Sequence, residues 1–205
     1  MDLKAIFEKL CHSFTEDPNL ITLLWQEIEA RYSEKGRYYH TLVHLEQMIH
    51  ELESVKDHLS DFNGVLFSVF YHDVIYDAFS QSNEEKSAAY AVPRLEKLGL
   101  SPDRVSKIHD QIIATKAHQQ SEDHDTNYLL DADLSVLGKD WQTYLDYSQK
   151  IRKEYAIYPD FLYKPGRKKV LKHFLEFKNI FKTEVFRSRY EMQAGINLKA
   201  ELEIL

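Results

Sequence analysis

A chain of 205 residues, 43% hydrophobic and 29% charged, can build one sizeable core and is short for two, so a single domain over residues 1–205 is expected. Six Gly and five Pro are too few for the many tight turns of an all-β fold and point to an all-α chain. A formal charge of −7 argues against non-specific nucleic-acid binding, and the single Cys11 leaves no internal disulfide or Cys-rich zinc motif, which fits a reducing cytoplasm. Residues 1–10 alternate charged and apolar groups, unlike a signal peptide, and no apolar run approaches the ~20 residues that span a bilayer.

Leu3, Ile6, Phe7, Leu10 and Phe14 fall at helical spacing; Asp17-Pro18-Asn19 breaks that helix, and a second is expected from Leu20 to Tyr32. This opening hairpin carries packing residues and no chemistry. From Tyr38 a long helix is expected, with Leu42, Leu45, Met48, Ile49, Leu52 and Val55 as its apolar stripe. His40 and His44 are then one turn apart beside that stripe, either as surface residues or as a functional pair. His50 and His58 lack comparable partners and read as surface. Asp61 can cap the next helix, over 62–76, which is apolar almost all round and should be the buried centre of a bundle.

That helix ends in Tyr71-His72-Asp73. Buried polar atoms are costly unless they find partners, and a cation supplies them; a buried cap or salt bridge would explain Asp73 but not His72. Asp77 follows as a solvated loop acid or as an acceptor orienting a ligand or substrate. Ser82 and Glu85 have capping-box spacing at the start of the next helix, where capping explains most of the polar residues and Asn83 or Glu84 facing a metal cavity is the sharper alternative. Gly99 ends it, and Ser101-Pro102 opens a helix over 103–116 that leads to Lys116 and His118. His118 serves either the helix dipole or a phosphate or metal. Residues 119–125 read as a polar surface loop with His124 inert.

Asp131 and Asp133 then stand among Leu129, Leu130, Leu134, Val136 and Leu137. Carboxylates in so apolar a run need a reason, and one should reach a site while the other caps or holds a ligand histidine. The last third, 141–205, is again helical. Arg152 and the basic block Lys164-Pro165-Gly166-Arg167-Lys168-Lys169 offer phosphate-binding cations, or simply a solvated loop and helix start.

The ordered set of Tyr39 to His44, Val65 to Asp73, Asn83 to Ala88 and Asp131 to Ser135 resembles the HD superfamily of metal-dependent phosphohydrolases, closest to its small bacterial members of unassigned substrate. The matched region runs from about residue 38 to 138, with helices 141–205 packing on it. The resemblance implies an HD-like helical bundle with added N- and C-terminal helices. It also implies a divalent ion (Mn, Fe, Co, Ni, Zn or Mg) held by His44, His72, Asp73 and Asp133. Tyr39-His40 with His44, and Ala132 to Ser135, are also similar to cyclic-nucleotide phosphodiesterases, distant members of that superfamily, which makes His44 the ligand and His40 the proton donor. With only His109, His118 and His124 between the His-Asp pair and the last Asp, one tight metal is expected. The implied substrate is a small phosphorylated molecule such as a nucleotide, with Lys116, His118, Arg152 or Arg167 on its phosphate. The alternative is a silent HD-fold sensor of nucleotide or metal.

Overall fold

The computed structural model describes residues Met1–Leu205, and the chain is all-α, with no strand. The N-terminal hairpin is α1 (Leu3–Cys11) and α2 (Pro18–Tyr32); the Asp2 and Asp17 carboxylates accept from the first free N–H groups of each helix. It packs through Phe7, whose ring meets Trp25, Phe67 and Phe70. The centre is α4 (Phe62–Tyr71), buried without interruption from Gly64 to Tyr71 as its all-round apolar sequence requires. Around it lie α3 (Leu42–Glu53), α5 (Asn83–Lys97), α6 (Pro102–Ala114) and α7 (His124–Leu134).

The C-terminal third comprises α8 (Trp141–Glu154), α9 (Asp160–Glu176), α10 (Glu184–Phe186) and α11 (Met192–Ile204), the last two joined by a π-helical turn at Arg187–Glu191. α8 and α11 pack on the 3-10 turn Ser135–Gly138. A Cβ at Gly138 would stand 2.7 Å from the Tyr190 carbonyl oxygen, so only glycine admits that close approach. No helix is long and apolar enough to cross a membrane.

Several elements depart from the sequence pattern, each for a visible reason. The helix expected from Tyr38 starts at Leu42, because the N–H groups of Tyr38, Tyr39 and His40 all point at one oxygen of Glu154, at 2.7, 2.7 and 3.0 Å. That segment wraps a carboxylate and does not form a helical turn. α4 stops at Tyr71 and not at residue 76. Arg37 donates to the carbonyls of Asp73 and Val74 at 2.7 and 3.0 Å, and Ser87 clamps both the N–H and C=O of Ile75, so this backbone is committed elsewhere.

Ser82 makes no side-chain cap. Glu85 pairs with Lys116, and Asn83 closes the preceding loop by bonding both N–H and C=O of Asp77. The segment 119–125 is not wholly a surface loop: buried Asp125 accepts from the N–H groups of Ser60 and Asp61, while His124 is exposed as expected. The basic block is not a loop either. It lies within α9, with Pro165 inside the helix and Arg167 turned inward.

Candidate metal centre

Three helices deliver four polar side chains to one buried place. His44 comes from the first turn of α3, His72 caps the C-terminus of α4, Asp73 follows it, and Asp133 comes from the last turn of α7. One ligand atom each from His44, His72 and Asp133 lie within 4.8 Å of one another. His44 Nε2 is 3.0 Å from Asp133 Oδ1, and His72 Nε2 is 3.9 Å from the same oxygen. Asp73 adjoins this group, with Oδ2 3.0 Å from His72 Nε2.

The imidazole nitrogens are the telling atoms. His72 Nδ1 lies 2.9 Å from the Val69 carbonyl, which can only accept, so Nδ1 carries the hydrogen. Nε2 of the neutral ring is therefore a bare lone pair facing carboxylate oxygens. Both His72 Nε2 and His44 Nε2 are buried, and although each lies 3.0 Å from a carboxylate oxygen, neither makes a well-aligned hydrogen bond to it. Buried polar atoms left in this way are costly, and a shared divalent cation is the group that satisfies two imidazole nitrogens and a carboxylate together. With protons alone, the site resolves differently. Burial pulls the His72 pKa down, but Asp73 and Asp133 outweigh it and push it up to about 9. Burial prevails at His44, whose pKa is lowered. Burial would raise Asp73 and Asp133, yet the adjacent histidines hold both below the usual carboxylate range.

His40 is not on α3 but in the segment wrapped around Glu154. Its Nδ1 donates to Glu154 Oε2 at 2.6 Å, its ring stacks on Tyr76 at 4.2 Å, and its Nε2 faces Asp73 Oδ2 at 3.9 Å. Tyr76 also donates to Glu154 Oε2, at 3.0 Å. Burial lowers the His40 pKa, but Asp73 and Glu154 more than offset this and the net shift is upward. The histidine and the three backbone N–H groups pull Glu154 down to about 2 against its burial. Glu154 is the residue that reading the sequence missed. Its partners lie 78 to 116 positions upstream, and nothing near it in sequence announces them.

His118 joins the site from the far side. Its Nε2 donates to Asp133 Oδ2 at 2.8 Å, leaving Oδ1 to the two histidines. Its φ of +49° is the only positive value at a non-glycine residue, a conformation that costs free energy and is found mostly at turns and functional sites.

A cavity of about 590 Å³ opens onto His40, Asp73, His118 and Asp133, with Asn83, Glu84, Lys116 and Arg167 also in its wall. Asp131, Asp77 and Arg152 do not join it. Asp131 is turned away, accepting from the N–H groups of Lys182 and Thr183 and from the Thr183 hydroxyl, and so holds the backbone ahead of α10, whose N-cap is Thr183 itself. Asp77 is an exposed turn acid that accepts from the Phe79 N–H. Arg152 is bound to Asp160 and to the carbonyls of Tyr155 and Tyr158, outside the cavity wall. Arg167 reaches the wall but is held in a two-pronged pair with Glu201 at 2.8 and 2.9 Å.

Set against protein-family models, curated proteins and solved structures, the chain matches none. What the site can do therefore rests on its own geometry: two buried histidines and an aspartate close enough to share an ion, a carboxylate-held histidine nearby, and an adjoining cavity.

Proposed function

We propose that this chain is a metal-dependent phosphohydrolase of the HD type, cleaving the ester bond of a small phosphorylated molecule. The observation that carries the reading is the pair of partnerless imidazole nitrogens of His44 and His72, converging with Asp133 beside a cavity. His44, His72 and Asp133 would hold the ion, with Asp73 at its edge. The mixed N/O donor set suits Mn, Fe, Co, Ni or Zn better than Ca, with Mg a further candidate. When bound, such an ion supplies Lewis acidity toward a phosphoryl oxygen and brings the pKa of water from ~16 to as low as ~7.

The chain's own residues supply the rest. His118 fixes which oxygen of Asp133 faces the histidines. Glu154 holds the hydrogen on His40 Nδ1 and keeps the ring charged to a higher pH than an unassisted imidazole. A charged His40 carries a second proton on Nε2, on the side facing Asp73, and can give it to the departing oxygen as the P–O bond breaks. Glu154 then stabilises the hydrogen-bonded ring that remains.

The test is release of phosphate by purified protein loaded with Mn, Co, Ni or Mg and given nucleoside monophosphates, cyclic nucleotides and simple phosphoesters. The Asp73→Ala variant should lose both metal retention and turnover. Full metal-dependent activity in that variant would remove the basis of the reading, and tight ligand binding with no product would favour a sensor module.

A further inference from the structure

The wall of the cavity carries information about the non-reacting part of the molecule it takes. Tyr147 and Ile151 on α8 and Tyr155 at its C-cap recur every four residues and share one face; Leu162, Val170 and Phe174, spaced by eight and four residues, share one face of α9. All six line the cavity. Aromatic rings also reach back to the reacting end. Tyr39 lies 4.8 Å from the His44 ring and 4.7 Å from Tyr147, Tyr76 stacks on His40, and Phe174 meets His118 at 6.0 Å. Leu162 and Val170, although apolar, remain about half exposed at 53% and 44%.

Positive charge is scarce in the same wall. Lys116 and Arg167 are its only Lys and Arg side chains, and each already has a carboxylate: Glu85 for Lys116, and Glu201 in two hydrogen bonds for Arg167. A single phosphoryl group can be met at the candidate metal centre. A second or third phosphate would find no free cation, and a bare sugar would leave the aromatic surface uncovered.

We propose that the substrate is a phosphomonoester with one phosphate on an aromatic ring system, its rings lying between the α8 and α9 faces. This rests on the hydrolase reading for the phosphoryl group but not for the ring subsite. Water adds to phosphorus, the bond from phosphorus to the ester oxygen breaks, that oxygen takes a proton, and inorganic phosphate and the free hydroxyl compound leave.

Two kinds of measurement separate the subsite from the chemistry. Binding is measured by calorimetry on Mn-loaded protein with 1-naphthylmethylphosphonate and methylphosphonate, neither of which has an ester bond to hydrolyse. The naphthyl compound should bind at least tenfold more tightly. Gly166 lines the cavity on α9, and a Cβ built there meets no atom within 4 Å, so Gly166→Trp can be accommodated and should cut that preference at least tenfold. Leu162→Glu, at a half-exposed position of the same wall, should do likewise and guards against a folding defect in the first variant. Turnover should run in the order 1-naphthyl phosphate, then glycerol 2-phosphate, then adenosine 5′-triphosphate. Equal binding of the two phosphonates, or an unchanged preference in both variants, overturns the aromatic subsite. Preferential binding with no phosphate released from any ester upholds the subsite and overturns the hydrolase reading alone.

Discussion

Removing the Glu154 carboxylate should be the most damaging single change near the site, although the residue touches none of the candidate metal ligands. Its side chain is fully buried, and it accepts from three backbone N–H groups, from His40 Nδ1 and from the Tyr76 hydroxyl. Glu154→Ala strands all five donors. Each unmet buried donor costs about 1–3 kcal/mol, and since the Tyr38–His40 segment is partly exposed and can rehydrate, a net loss of about 4 kcal/mol follows. For a domain of this size that lowers Tm by roughly 10 °C. Glu154→Gln keeps an oxygen for the backbone donors but turns an amide N–H toward His40 and Tyr76, and should cost about 1–2 kcal/mol.

The two proteins should also differ in pH response. Glu154 has its pKa depressed from 4.5 to about 2, so the stability it contributes is fully present above pH 4.5 and is lost as the pH falls toward 2. The advantage of the native protein over Glu154→Gln must shrink across that window. Calorimetry and chemical denaturation at a series of pH values measure both effects. A Tm shift below 2 °C in Glu154→Ala, or a pH-independent gap to Glu154→Gln, would refute the role assigned to this carboxylate.

Three other outcomes follow from the same geometry. His118→Gly deletes the tether on Asp133 while relieving the left-handed backbone, so stability should stay within about 1 kcal/mol while divalent-ion affinity falls ~10–100-fold; equal affinity by titration calorimetry would count against the tether. Arg167→Met leaves the Glu201 carboxylate buried with only Tyr144 and Ser148, costing about 3–5 kcal/mol in denaturant unfolding, and adding Glu201→Leu should restore most of the loss. Binding of a divalent ion to metal-free protein at pH 7.5 should expel about one proton, because Asp73 and Asp133 push the pKa of the ligand His72 up to about 9; calorimetry in buffers of different ionisation enthalpy reads this, and zero protons would contradict it.

What could be read from the sequence was whatever depends on local pattern. The all-round apolar run of α4 marked the buried centre, and apolar surroundings marked the His40/His44 pair, His72-Asp73 and the Asp131/Asp133 pair; choosing His44 and Asp133 within those pairs took the resemblance to the HD superfamily, and the fold brings His44, His72 and Asp133 together. That only one of Asp131 and Asp133 should reach the site also follows from burying two carboxylates two residues apart, whose side chains diverge around a helix; Asp131 meets the backbone of Lys182 and Thr183 instead. What stayed hidden depends on distant partners. Glu154 captures the backbone ahead of α3 and so delays that helix to Leu42; Arg37 and Ser87 take the carbonyls after Tyr71 and stop α4 early. Ser82 and Glu85 have the spacing of a capping box, but Lys116 claims Glu85 from another helix. In each case a tertiary hydrogen bond outcompetes a local preference worth about 1 kcal/mol.

The claim on which the rest depends is that buried nitrogens of His44 and His72 share one cation with Asp133. Elemental analysis of protein equilibrated with Mn, Co, Ni or Zn and then dialysed tests it most directly, alongside His44→Ala and His72→Ala variants shown to be folded by circular dichroism. The account predicts one tightly held divalent ion per chain in the native protein and none retained in either variant. A native protein that retains no stoichiometric metal, or variants that retain as much as it does, would contradict it.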